Sequence, residues 1–331
     1  MSSAPTAEEI WRDATWLAQA VDPHAGLVRL VELSEEDYRC ESFLDDRLLA
    51  AGHKSHLLKW VEVAAGAPSD TRSDVRWIFH IGHVGSTLVS RLLGELDSIL
   101  AIREPRSLRD LTFFPPEVRA QFIPTVRSLM SRTFGAGETA VVKTTSMVSE
   151  IAAELVGEIG RALFLFASPE IYLQTILAGG QSPAELQTLA GYYAARAESR
   201  GFSMQPSNPA EAAALVWACE MAALEDAAER LPVGSVLWQD FEGFLAAPEA
   251  VLGKIAAFFG LGASEGHIAE ITRGPLMHRY SKALEYEFGP DTRRRGLSEA
   301  AAKHAAAIDD ALAMLRQASE KAPLLQRTLD R

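Results

Sequence analysis

The chain of 331 residues is 48% hydrophobic and 23% charged, with 8% aromatic residues; these proportions exclude a disordered chain, a collagen-like repeat and a membrane protein. Its 32 Lys and Arg against 44 Asp and Glu leave a formal charge of −12. A field of that sign repels nucleic acid and anionic membranes, so neither is an expected partner, and an anionic ligand needs a local basic pocket.

The opening MSSAPTAEEIWRD is acidic and lacks the basic start and apolar run of a signal peptide. Apolar stretches elsewhere are too short to span a bilayer, and a cytoplasmic protein is expected. Residues 1–72 read as an N-terminal α/β lobe packed on a main domain. In this lobe, residues 8–19 carry helical apolar spacing through Ile10, Trp11, Trp16 and Leu17, and residues 27–33 are strand-like. Ser34 caps a helix running through Tyr38, Phe43 and Leu48. After a polar break, residues 75–81 form a short apolar run that stops at a glycine. Gly82-His83-Val84-Gly85-Ser86-Thr87 follows, and helical spacing then continues through residues 88–96.

Residues 139–143 read as a second buried strand, leading into helical spacing at Met147, Ile151, Leu155 and Ile159. Residues 161–166 are a third, and Ser168-Pro169 opens the next helix, since proline suits the first helical position. Asn208-Pro209 opens a long alanine-rich helix ending near Leu231-Pro232. Residues 233–238 are a fourth strand, and Pro248 opens a helix that stops at Gly260. Inserted helices cover 116–131 and 183–199, and 298–325 reads as one or two more. Short apolar strands alternating with amphipathic helices predict, over residues 73–331, a parallel sheet flanked by helices on both faces, with a basic loop and a helical tail near the C-terminus. Cys40 and Cys219 match no metal spacing and are expected as buried thiols in a reducing compartment.

The glycine-rich turn carries the strongest chemical signal. Gly82 and Gly85 allow a tight bend that aims successive backbone N–H groups into one concavity, and Ser86 and Thr87 add hydroxyls at the positive end of a helix. That combination suits a phosphate or sulfate dianion; the plain alternative is a packing turn between strand and helix. The turn lacks the GK[ST] ending of a Walker A motif. His83 lies inside the turn, where it contacts the anion or the acceptor unless it is structural. His80 points into the sheet packing. No metal-ligand spacing surrounds either histidine, and no metal is expected.

FHIGHVGSTLVSRLL resembles the phosphosulfate-binding loop of bacterial sulfotransferases, whose form is [KR]SG[ST]T, with Gly85-Ser86-Thr87 as the matching core. Glu104-Pro105-Arg106 resembles that family's E-x-R segment, Val142-Lys143-Thr144-Thr145 its K-[TD]-P segment, and residues 162–175 its strand ending in R-D-P-x-x-x-x-x-S. Leu237-Trp238-Gln239-Asp240-Phe241 resembles its Y-E-D-L segment. The likeness covers residues 75–261. It departs at Val84 and Ala167, which stand where the family has basic residues, and at Ser168, Glu170 and Thr175.

The resemblance implies a P-loop NTPase-like fold and transfer of a sulfuryl group from PAPS to a hydroxyl or amine of a small-molecule or peptide acceptor, leaving adenosine 3′,5′-bisphosphate. Gly82, Gly85, Ser86, Thr87 and Thr175 would bind the donor, and a basic loop containing Arg279 and Lys282 would supply charge absent at Ala167. Lys143, at the carboxyl end of its strand, is placed to neutralise the bridging oxygen, unless it is a solvated strand-end lysine. Glu104 is the candidate base, held ionised by Arg103 and Arg106, unless these form a surface turn. Two other functions stay open: a catalytically inactive binding or regulatory scaffold, and a P-loop kinase-like phosphotransferase using Lys143.

Overall fold

The computed structural model describes residues 3–179 and 182–331. Among the described residues, eight strands form two sheets. β1 (Trp16–Asp22), β2 (Leu27–Glu32) and β3 (Ser55–Lys59) make an antiparallel sheet in that order. β4 (Arg76–His80), β5 (Ile99–Arg103), β6 (Thr139–Lys143), β7 (Arg161–Phe166) and β8 (Val236–Asp240) make a parallel sheet of order β5-β6-β4-β7-β8, flanked by helices. β4, β6 and β7 are buried almost end to end, as strands covered on both faces must be, which explains why they read as continuous apolar runs. This is an α/β fold with a five-stranded parallel sheet and a glycine-rich turn after its central strand. The chain runs from β4 outward to one side of the sheet, then returns to build the other side. The carboxyl end of β4 therefore lies where connections diverge, the usual crevice for ligands in open α/β sheets.

The antiparallel sheet shares a continuous apolar core with the parallel one. Ser107 Oγ donates to the Ala18 carbonyl at 2.7 Å, Arg132 Nη2 to the Trp16 carbonyl at 2.7 Å, and the Leu44 N–H to the Arg103 carbonyl at 2.8 Å.

Several local expectations hold. Ser34 caps the helix Glu35–Cys40 through a reciprocal capping box, Ser168 and Asn208 cap the helices Pro169–Ala178 and Pro209–Arg230, and Gly260 ends Pro248–Phe259 in a left-handed conformation. Others change. The helical pattern over 8–19 is a helix only through Arg12, because Asp13 turns back to accept the Thr15 N–H and the chain enters β1. The helix capped by Ser34 stops at Cys40, leaving Phe43 outside it, and Leu48 belongs to the separate helix Arg47–Ala50. β3 and β5, unpredicted, are short strands completed by neighbours. Ile159 lies beyond its helix and is exposed. Cys40 is exposed rather than buried, while Cys219 is buried and its thiol is pushed up to about 12 by burial. The tail forms three helices, Pro290–Lys303, Ala305–Ser319 and Pro323–Leu329. Among the described residues no helix is long and apolar enough to cross a membrane.

Candidate functional site

Parallel strands point their carboxyl ends the same way, so the segments after β4, β5, β6 and β8 converge on one edge. After β4, Gly82 and Gly85 take φ of +85° and +64°, conformations that a side chain resists. The Phe241 ring, just past β8, lies on Gly85 so closely that a Cβ there would fall 1.9 Å from a ring carbon. The helix Ser86–Gly94 begins at this turn. Among the described residues, the N–H groups of Val84, Gly85, Ser86, Thr87 and Leu88 find no protein acceptor. Unpaired amides at a helix start after a glycine turn form an anion receptor.

His80 braces this turn. Its Nδ1 accepts the Gly82 N–H at 3.0 Å, which assigns the proton to Nε2, and Nε2 donates to the Thr144 carbonyl at 2.8 Å. Burial holds His80 well below the ordinary histidine range. Val84 is buried, so the position that differs from a basic residue packs inward.

Lys143 ends β6 fully buried, with Nζ donating to Thr87 Oγ1 at 3.3 Å and to Glu104 Oε1. Glu104 follows β5, whose last residue, Arg103, is in register with Lys143. The Glu104 N–H continues the ladder by donating to the Lys143 carbonyl at 2.7 Å. Its carboxylate also accepts from Thr145 Oγ1 at 3.5 Å. Burial pushes the Lys143 ammonium down, and the Glu104 carboxylate opposes this. The backbone is strained here: among the described residues, three non-glycine residues have positive φ, and two of them are Glu104 and His83, each at +53°.

The flanking arginines do not hold Glu104. Arg103 turns away beneath the N-terminal lobe, donating to the carbonyls of Tyr38, Arg39 and Glu41, and Arg106 pairs with Asp46 and Asp110. Lys143 takes the place assigned to them.

His83 and Lys282 join the cluster. Burial first, then the Lys282 and Lys143 ammonium groups, push His83 down to about 4, with Glu104 opposing. Lys282 and Lys143 stand 5.9 and 5.8 Å from the centroid of the same Phe43 ring. Arg279 is exposed and its backbone bridges Glu287. The Thr175 hydroxyl donates to Ile171 within its own helix at 2.7 Å. Ala167 is buried and its carbonyl accepts from Trp217 Nε1 at 2.9 Å. Arg293-Arg294-Arg295 lie in the helix Pro290–Lys303, which packs on Pro169–Ala178; Arg293 covers the Phe241 ring and pairs with Glu242. Phe43, Thr145 and Phe241 complete the site; Thr145 and Phe241 fall within segments that the resemblance marks, but no local pattern singles out any of the three side chains. Among the described residues no His, Cys, Asp and Glu group is arranged to hold a metal.

No protein-family model and no curated protein matches the chain. Among solved structures it is similar to the sulfotransferase domain from the curacin biosynthetic pathway, at 12% identity and TM-score 0.43, covering 70% of this chain and 97% of that one. It is also similar to mouse sulfotransferase SULT7A1 complexed with PAP, at 12% identity and TM-score 0.40, covering 79% and 90%. A third is the sulfotransferase from Alicyclobacillus acidocaldarius, at 17% identity and TM-score 0.39, covering 71% and 96%.

Proposed function

We propose that this chain transfers a sulfuryl group from PAPS to a hydroxyl or amine acceptor, a small molecule or a peptide. The observation that carries the proposal is the row of unpaired amides from Val84 to Leu88 beside the buried Lys143–Thr87 contact. In an acidic protein, such a local gathering of donors and cations supports a phosphosulfate as the ligand.

The residues fit the phosphosulfate end of the donor: the loop amides, the Ser86 and Thr87 hydroxyls, Lys143 and Lys282. At the 3′-phosphate end, β7 offers the neutral Ala167, and we assign that charge to the basic segment from Arg279 to Arg295. In the reaction, the acceptor oxygen or nitrogen forms a bond to sulfur while the bond from sulfur to the bridging oxygen breaks. The electron pair leaves on that oxygen, where Lys143 stabilises it. Glu104 takes the acceptor proton. At rest these two side chains pair with each other, so the incoming donor draws Lys143 toward the phosphosulfate and frees the carboxylate for its role as base.

Calorimetry with adenosine 3′,5′-bisphosphate in magnesium-free buffer tests the proposal. A transferase binds it without metal. Preference for Mg·ATP would favour a phosphotransferase, and binding of neither would mark an inactive scaffold.

A further inference from the structure

Arg91 lies on the helix Ser86–Gly94, which opens at the anion loop, and it is buried. Its guanidinium reaches two separate segments. Nε donates to the Ser281 carbonyl at 2.9 Å, Nη1 to the Arg39 carbonyl at 3.1 Å, and Nη2 to the Cys40 carbonyl at 3.3 Å and to Ser42 Oγ at 2.8 Å. The Ser42 hydroxyl passes the connection on, donating to the Lys282 carbonyl at 3.0 Å.

The segment it grips is a turn closed on itself. The Tyr280 N–H donates to the Tyr286 carbonyl at 2.8 Å, the Phe288 N–H to the His278 carbonyl at 3.0 Å, and the Tyr280 and Phe288 rings meet edge to face. Tyr280, Tyr286 and Phe288 are exposed, so these rings give the turn little anchorage in the core. Fixing such a turn costs backbone entropy at every residue. The bonds to Ser281 and Lys282 supply attachment where the Lys282 ammonium must stand beside Phe43, His83 and Lys143.

We propose that Arg91 is the positioning residue that clamps the 279–289 turn to the anion-loop helix and so sets Lys282 over the site. The inference rests on the reading above, in which Lys282 meets the donor's negative charge. The N-terminal lobe takes part through Arg39, Cys40 and Ser42, so the anion loop, the lobe and the basic turn are registered by a single cation. A lysine at this position keeps the charge but lacks the fork that spans four acceptors.

The test compares R91Q, R91K, S42A, K282Q and R91Q/K282Q with the unmodified protein, using the full chain. Adenosine 3′,5′-bisphosphate affinity is measured by calorimetry, and trypsin cleavage after Arg279 and Lys282 is followed by mass spectrometry. R91Q and K282Q are each expected to weaken affinity about tenfold, with the double variant no more than about twofold weaker than either; a tenfold change corresponds to about 1.4 kcal/mol. R91Q should speed cleavage in the turn at least about tenfold, R91K should not rescue it, and S42A should fall between. Equal cleavage rates in S42A and the unmodified protein, with R91Q also unchanged or unfolded, overturn the clamp. Additive losses in the double variant overturn it as well. If K282Q binds normally while cleavage accelerates in R91Q, the clamp stands and the role given to Lys282 in donor binding fails.

Discussion

Lys143 ends β6, Glu104 follows the last residue of the neighbouring β5, and the two meet as an ion pair at the carboxyl edge of the sheet, with Lys143 buried and Glu104 held in a left-handed backbone conformation. In the proposed reaction the pair joins two roles that pull apart during transfer, one cationic toward the leaving group and one basic toward the acceptor.

Glu104→Gln separates these roles. With the base gone, turnover should fall by about 10²–10⁴-fold. Lys143 loses its resting partner, so affinity for adenosine 3′,5′-bisphosphate should hold or tighten. Initial rates and calorimetry on one preparation check both; weakened binding with intact turnover would remove Glu104 from the role of base.

Lys143→Ala takes away a cation in contact with Thr87 and, in the proposed complex, with the phosphosulfate. A charge-assisted contact contributes about 1.5–3 kcal/mol, so affinity should fall roughly 10–150-fold. Isothermal titration of the variant against bisphosphate measures this.

Gly85→Ala tests the loop itself. The substitution sets a Cβ into the Phe241 ring at a φ of +64°. The backbone conformation alone costs about 1–2 kcal/mol. Bisphosphate binding should be lost and the thermal midpoint lowered. Pairing the change with Phe241→Ala should restore part of the stability, since it removes the overlap and leaves the backbone cost.

Stability should depend on pH through His83 and His80. Both are held neutral by burial, His83 at about 4 and His80 well below its ordinary value, whereas unfolded imidazoles protonate near pH 6.5. Below that pH the unfolded chain binds more protons, so stability falls as pH drops from about 6.5 toward 4, on the order of 1.4 kcal/mol per pH unit for each histidine. Urea unfolding at pH 7.5 and 5.5 measures the loss. His83→Asn, which tolerates the positive φ, should make it shallower and leave the part due to His80.

A second buried network holds the helical layer. Arg196 pairs with Glu150 and with the fully buried Glu220, which also accepts from Ser149. Burial pushes Glu220 up, and Arg196 opposes this. Arg196→Met should cost about 3–5 kcal/mol in denaturant unfolding, because it strands a buried carboxylate, and adding Glu220→Met should recover most of the loss.

The parallel α/β architecture was legible because its signals are local. Continuous apolar runs mark β4, β6 and β7, caps mark the helices after them, and two glycines mark the loop. A strand completed by its partner carries weaker signals, so β3 and β5 went unseen and the pattern at Trp16 and Leu17 resembled a helix. Sequence placed Lys143 at a strand end and singled out Glu104 as the candidate base but could not choose their partners. Arg103 and Arg106 are Glu104's neighbours along the chain, yet both are drawn off, one by lobe carbonyls and the other by aspartates. Lys143, 39 residues away, takes the contact because two parallel strands run in register.

The amino-acid order thus determined the strands, the turn and the residue types gathered at the sheet's carboxyl edge, since periodicity, caps and glycine conformation act over a few residues. Folding in three dimensions decided which cation faces which carboxylate, that Phe43 and Phe241 wall the site, and that Arg91 ties Lys282 to the loop. Those contacts join segments up to 240 residues apart, and a directed bond between distant segments follows from how the layers pack, which no local pattern encodes.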